Sequence, residues 1–321
     1  MKNDILTDYY NPLLERNHFC PIPCPDKFST AGQCWEISSE IGGGYYWVYA
    51  KQNLFDIKIH DFFFHDDVYP DMEIPECISI QRYDSISGEE LNPYRRFSAG
   101  DIQTIVGGKQ RYRALIHKRI PIHSVGVEIL PAYYEDFLKN PDIYFDLPAA
   151  FQSVDQATDF PAMSKLLFEI ENYRGEGAAA ALFYEAKVTE AIALVVDAWK
   201  RQSQRRERPL SAADAESLQN VISYIADHYA FDISLECLAN IACMSESKLK
   251  SCFKRQFGCS ITQYIQGRRM SQAEHLLINT DFTMGQIAQM IGYTTSSRFA
   301  ELFRKSTGIL PIEYRKIARD K

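Results

Sequence analysis

LANIACMSESKLKSCFKRQFG (residues 238–258) and IAQMIGYTTSSRFAELFRKSTG (residues 287–308) are one pattern written twice, with one extra residue in the second turn. Ala239 aligns with Ala288, Phe253 with Phe303, Lys254-Arg255 with Arg304-Lys305, and Gly258 with Gly308. Beyond the quoted stretches, Tyr264 pairs with Tyr314 and Arg269 with Arg319. Self-similarity of this kind implies one supersecondary unit used twice. Each copy is expected to form two short helices around a tight turn. In the first, Ser234 is placed to cap LECLANIA, Met244 falls in the turn, and Ser245 caps a second helix running to about Phe257. In the second, Gly292 takes the turn and Thr295 the cap. Leu249, Cys252 and Phe253 recur at the three-and-four spacing of a buried helix face, as do Phe299, Leu302 and Phe303.

The opposite faces of the two second helices are polar, short or cationic. In the first copy they carry Ser245, Ser247, Lys248, Lys250, Ser251 and Lys254; in the second, Thr295, Ser296, Ser297, Arg298, Glu301, Arg304 and Lys305. Such side chains suit base edges and phosphates, which makes these the candidate DNA-contact residues. Arg298 can offer both arms of its guanidinium to guanine O6 and N7. Glu301 can accept from cytosine N4 or pair with Arg304 or Lys305 on its own helix. Between the copies, ITQYIQGRRMSQAEHLLIN (residues 261–279) reads as one continuous helix, about 28 Å long at ~1.5 Å per residue. That length approaches the ~34 Å between equivalent faces of successive major-groove turns. A helical protein-interaction domain is the competing expectation, and the cationic faces at matched positions weigh against it.

Five stretches carry a family resemblance: LANIACMS from Leu238, FKRQFG from Phe253, RMSQAEHLL from Arg269, IAQMIGY from Ile287 and FRKSTGILPIEYR from Phe303. Residues 214–316 resemble the DNA-binding domain of the AraC/XylS family of bacterial transcription regulators. The resemblance implies a separate N-terminal sensing or dimerising domain, often a cupin-like barrel followed by helices. It also implies that the first recognition helix presents Ser247, Lys250, Ser251 and Lys254, and the second Ser296, Ser297, Arg298 and Glu301. The sequence departs from the family pattern at three places. Ile261 stands where Pro is usual, although the second copy keeps Pro311; Cys243 stands where Gly or Ala is common; and Arg298 stands where many relatives carry an aromatic or small residue.

The 321-residue chain has a net charge of −7, divided unevenly. Residues 212–321 hold 13 Lys and Arg against 11 Asp and Glu, and the remainder holds 22 against 31. Acidity concentrated away from the doubled motif does not exclude a nucleic-acid partner. A domain at +2 points to few phosphate contacts and a shallow salt dependence. The chain has no run of about 18 apolar residues, and MKNDILTDYYNPLLERN lacks an apolar signal core, so a cytoplasmic protein without a membrane partner is expected. There the eight cysteines would stay thiols. Cys20, Cys24 and Cys34 near His18 match no strong zinc spacing.

From about residue 34 to 130, CWEISSE, YYWVYAKQ, FDIKIHDFFF, CISIQRYD, RYRALIH and SVGVEIL read as strands, with turns at Gly42-Gly43-Gly44, Ser87-Gly88, Ala99-Gly100-Asp101 and Gly107-Gly108. Strands so spaced favour a small barrel or sandwich. Tyr45, Trp47, Tyr49, Phe62 and Phe64 are the candidate effector-pocket residues, with plain core as the alternative. His60, His65, His117 and His123 with Asp61, Asp66 and Glu128 lack the compact H-x-H pattern of a metal-dependent barrel enzyme, so neither metal nor cofactor is expected. After Pro131 helices follow, including FPAMSKLLFEIENYR and a long Ala-rich helix through about Gln202. The wide apolar surface of that helix must pack on the barrel or against a second copy of the chain.

These expectations combine into an α+β chain with a ligand-sensing and dimerisation domain over 1–204, its barrel at about 34–130 and its helices at about 131–204. A linker over 205–213 and a DNA-binding domain over 214–321 complete it. The expected function is sequence-specific transcription regulation, as a homodimeric activator that meets promoter DNA, a small effector and RNA polymerase. Two alternatives stand beside it: a metal-dependent cupin-type enzyme fused to a DNA-binding tail, and a regulator controlled by a protein partner without a small ligand.

Overall fold

The computed structural model describes residues 4–91, 94–108, 111–138, 146–155, 157, 160–203 and 211–319. The chain divides into two compact units, Met1–Arg205 and Arg206–Lys321. Most of the expected 205–213 linker lies outside the described residues.

The first unit opens with a π-helical turn, Leu6–Tyr10, that runs into α1 (Asn11–Arg16). Strands follow: β1 (Phe19–Ile22), β2 (Gln33–Ile37), β3 (Gly42–Lys51), β4 (Phe55–Phe64), β5 (Asp71–Glu73), β6 (Ile78–Ser85), β7 (Gly88–Leu91), β8 (Tyr94–Arg96), β9 (Ile102–Val106), β10 (Arg111–Ile116) and β11 (Ile122–Ile129). Helices α2 (Pro131–Leu138), α3 (Leu147–Ser153), α4 (Pro161–Asn172) and α5 (Gly177–Ser203) end the unit. Among the described residues the strands make one sheet in the order β1-β2-β3-β4-β11-β6-β9 and a second in the order β5-β10-β7-β8. The expected closed barrel is therefore corrected to two open sheets. Strands β5, β7 and β8 run only three or four residues, too short to carry the tilt and stagger that closure requires.

Gly42-Gly43-Gly44, expected as a turn, instead begins β3, opposite Phe64, Phe63 and Phe62 of β4. Gly44 has φ +108°, and a Cβ there would lie 2.3 Å from the Asp61 carbonyl oxygen. Only glycine permits that close approach of two backbones.

Alternation gives the larger sheet two unlike faces. Trp47, Phe55, Ile57, Ile59, Ile78, Ile80, Val125 and Val127 form one apolar core with Phe151 of α3, Leu166 and Leu167 of α4, and Tyr184, Val188 and Val195 of α5. Asp56, Lys58 and His60 alternate with these residues along β4. Tyr10 donates to Asp56 Oδ1 at 2.9 Å, Lys58 Nζ donates to Glu128 Oε2 at 2.6 Å, and Ser124 Oγ lies 2.9 Å from His60 Nδ1. Burial, and after it the Glu128 carboxylate, holds the Asp56 carboxyl well above the usual range. Burial alone would depress Lys58, but Glu128 and Asp56 outweigh it and raise the ammonium's pKa. Burial and then the Lys58 charge push His60 down to about 3. His123 goes the other way, to about 10, because Asp84 and Glu171 bracket its ring at 3.4 and 3.1 Å.

The second unit consists of α6 (Ala212–His228), α7 (Leu235–Ile241), α8 (Glu246–Phe257), α9 (Ile261–Asn279), α10 (Met284–Met290), α11 (Ser296–Thr307) and α12 (Pro311–Arg319). Leu218, Val221 and Ile225 of α6 bury Leu238, Ala239, Leu249 and Phe253 of the first motif. Helix α9 runs unbroken over 19 residues. Among the described residues no helix is long and apolar enough to cross a membrane.

Candidate nucleic-acid interface

The two helix-turn-helix motifs are built by the same local devices. Ser234 accepts from Cys237 N ahead of α7, and Thr283 forms a capping box with Gln286 ahead of α10. The turn of the first motif brings Met244 N to Ala239 O at 3.0 Å; the second brings Tyr293 N to Ala288 O at 2.8 Å. Cys243 at φ +52° and Gly292 at φ +85° hold corresponding left-handed positions. Ser245 then caps α8 and Thr295 caps α11, and the paired glycines Gly258 and Gly308 end these helices at φ 71° and 87°.

Each second helix buries the residues that the periodicity assigns inward. Leu249, Cys252 and Phe253 are buried in α8, and Phe299, Leu302 and Phe303 in α11. Ser245, Ser247, Lys248, Lys250 and Lys254 are exposed, and Ser251 is half-buried. Thr295, Ser296, Ser297, Arg298, Glu301, Arg304 and Lys305 are all exposed. The geometry thus collects each candidate set on one solvent face of one helix.

Ion pairs make the two faces different. Lys248 Nζ lies 2.6 Å from Asp214 Oδ1 on α6, a bond that holds α8 to α6. The Asp214 carboxyl is lowered, first by that hydrogen bond. Glu301 Oε2 accepts from Arg298 Nη1 at 2.8 Å, so its partner is Arg298 rather than the expected Arg304 or Lys305. The i,i+3 pair lays the Arg298 fork along the solvent face. No spacing rule would have found Asp214, which lies 34 residues from Lys248.

The expected effector-pocket residues do not come together. Trp47 is buried in the helix-side core and donates Nε1 to Ser29 O at 2.9 Å. Tyr45 and Tyr49 pack against that same core, Tyr49 with its ring 4.5 Å from Tyr184. Phe62 and Phe64 belong to the opposite face and meet edge to face at 5.4 Å. The sheet itself separates the two groups: Tyr45, Trp47 and Tyr49 lie opposite Asp61, Ile59 and Ile57 of β4, whereas Phe62 and Phe64 lie opposite Gly44 and Gly42 and so point to the other face. A cavity of about 470 Å³ lies elsewhere, where β11 runs into α2, lined by Tyr9, Pro75, Glu128, Leu130 and Glu135 among others.

Residues 238–317 match the model of a helix-turn-helix domain family. The chain carries an AraC-type helix-turn-helix domain. Its similarity reaches the arabinose operon regulatory protein of Escherichia coli, at 29% identity over 59% of this chain and 62% of that protein. It also reaches the lactose operon transcription activator of Staphylococcus xylosus, at 32% identity over 31% of this chain and 36% of that one. Neither alignment spans two thirds of the relative's length. Among solved structures, a transcriptional regulator with an AraC-type DNA-binding domain from Chromobacterium violaceum aligns over 35% of this chain and all of its own length, at 23% identity and a TM-score of 0.32. The exposed sets above lie on α8 and α11, within the matched residues.

Proposed function

We propose that the chain is a sequence-specific transcription activator that lays α8 and α11 into successive major-groove turns of promoter DNA. The observation that carries this is the matched pair of exposed polar faces, held apart by the unbroken 19-residue α9. In this proposal Ser247, Lys250 and Ser251 read one stretch of bases, and Ser296, Ser297, Arg298 and Glu301 read another. Lys254, Arg304 and Lys305, in the last turns of α8 and α11, hold phosphate. The N-terminal unit would take a small effector, and the cavity of about 470 Å³ beside the buried Glu128 is the place that favours it. Leu182 is 71% exposed on α5, with Ala186 and Ala193 exposed on the same helix, a surface that suits a homodimer contact in the cytoplasm. RNA polymerase would be the further partner of an activator.

Selection from a randomised duplex library by the purified full chain tests the proposal. Enrichment of a defined sequence supports it; uniform retention of the library, reversed by moderate salt, would leave only nonspecific phosphate binding. Loss of dimerisation in Leu182→Lys, on the exposed face of α5, is the expected result for that contact. Retained dimers would remove that part.

A further inference from the structure

Arg269 lies inside α9 and does not belong to either recognition face. Its guanidinium donates from Nε to Tyr229 O at 2.7 Å, from Nη2 to Phe231 O at 3.0 Å, and from Nη1 to Gly292 O at 3.0 Å. It also stands 5.1 Å from the centre of the Tyr293 ring. Two of its carbonyls belong to the segment that leads from α6 into the first motif. The third carbonyl and the ring belong to the turn of the second motif. One side chain therefore touches both motifs at once.

The repeat supplies a control for what this contact does. Arg319, the counterpart of Arg269 in the doubled pattern, donates to Ile278 O and Thr280 O and to Asp281 Oδ1. Each arginine thus covers carbonyls at the C-terminal end of the helix that leads into its own motif, α6 for Arg269 and α9 for Arg319, where a cation is favoured. The shared part of the arrangement is a helix cap. The part special to Arg269 is the third bond, to Gly292 O, which Arg319 replaces with a surface carboxylate.

Gly292 tightens the same junction from the other side. It has φ +85°, and a Cβ there would lie 2.3 Å from Ala230 O and 3.0 Å from Arg269 Nη2. The turn of the second motif is seated directly on the chain that enters the first. Both motifs pack on the continuous α9, and the seat at Arg269 and Gly292 joins them by a second route.

We propose that Arg269 is a positioning residue that locks the angle between α8 and α11, and so sets the base-pair spacing the chain accepts. This rests on the reading that both motifs engage one duplex. Linking two binding elements rigidly makes the second contact intramolecular, and the gain depends on geometry. Lysine cannot replace the fork, because a compact ammonium cannot reach three carbonyls that Arg269 meets from three separate nitrogens.

The test uses full-length chain and the duplex that wild type selects from a randomised library. Two kinds of altered probe accompany it: the two contact blocks moved closer or apart by a base pair or two, and one block scrambled. Arg269→Ala should bind the selected duplex about tenfold more weakly yet stay within about twofold of wild type on the one-block probe. Its preference for the selected spacing over a shifted one should fall from about tenfold to under about threefold. Arg269→Lys should keep the fold and show the same flattened spacing profile. Arg319→Ala should weaken binding without flattening the profile. Circular dichroism melts of each variant establish that it is folded; should Arg269→Ala be unfolded, Arg269→Lys carries the same comparison. A folded Arg269 variant that keeps the sharp spacing preference, or one that loses equally on one-block and two-block probes, overturns the proposal. A wild-type chain that selects only a one-block duplex overturns the two-motif reading, and this proposal with it.

Discussion

The first helix-turn-helix motif turns on Cys243, holds Lys248 to Asp214, and offers serines and lysines to solvent; the second turns on Gly292, holds Arg298 to Glu301, and offers an arginine fork. Beneath those surfaces the motifs coincide. Phe253 and Phe303 are both wholly buried, Ala239 and Ala288 are both buried, and Gly258 and Gly308 close both second helices in the left-handed region. The difference teaches that the repeat preserves packing and backbone while leaving the outward positions free to diverge. A chain that needs one symmetrical site has no use for two unlike faces.

The largest expected effect tests the shared part. Phe253→Ala and Phe303→Ala should each cost ~3–5 kcal/mol of stability in chemical denaturation, since each leaves a cavity in a close-packed motif. Losses of similar size support equivalent cores, and a loss below ~1 kcal/mol at either would break the equivalence.

Next comes the unlike part. Arg298→Ala should relax preference at one base position by ~1–3 kcal/mol in competition binding, while Lys254→Ala should weaken all sequences alike and reduce the salt slope by about one. An Arg298 variant that weakens every sequence equally would make this arginine a phosphate contact, and the two faces would then differ less than their residues suggest.

The turns give a smaller contrast. Cys243 sits at φ +52°, where a residue with a Cβ is strained by ~1–2 kcal/mol, partly offset by the entropy glycine loses on folding. Cys243→Gly should therefore raise the denaturation midpoint by an amount worth up to ~1 kcal/mol. A lowered midpoint would show that the cysteine side chain contributes packing that its exposure does not suggest.

The smallest effect is electrostatic. The pair with Lys248 lowers the Asp214 pKa, so its contribution is fully present above the ordinary aspartate range and fades as pH falls through the lowered value. Asp214→Asn should remove that acid-side dependence from the first motif. The same titration unchanged in Asp214→Asn would mean that the ion pair does not hold α8 to α6 in solution.

Much of the second unit was legible because helical period, caps and glycine stops all point one way: Ser234, Ser245 and Thr295 cap where the pattern placed them, and α9 spans residues 261–279. The β-rich unit was legible only in its long strands. Strands of three or four residues such as β5, β7 and β8 show too little alternation to be read, and Gly42 to Gly44 carry a turn composition although their partner strand makes them backbone contacts. The candidate pocket failed on parity across a strand pair. Trp47 and Tyr49 meet Tyr184 of α5 and Tyr45 meets Phe28, whereas Phe62 and Phe64 pack on the other face. Arg269 was visible as a repeated residue, but its three carbonyl partners are backbone atoms that no side-chain pattern announces.

In the proposed function one chain reads two successive major-groove faces with unlike motifs. Methylation protection of guanines on the selected duplex, at a measured ratio of chain to DNA, tests it most directly. The expected footprint of each chain is two protected blocks about 10 base pairs apart, carrying unrelated sequences. One block per chain, or two blocks of the same sequence within one chain's footprint, would contradict it.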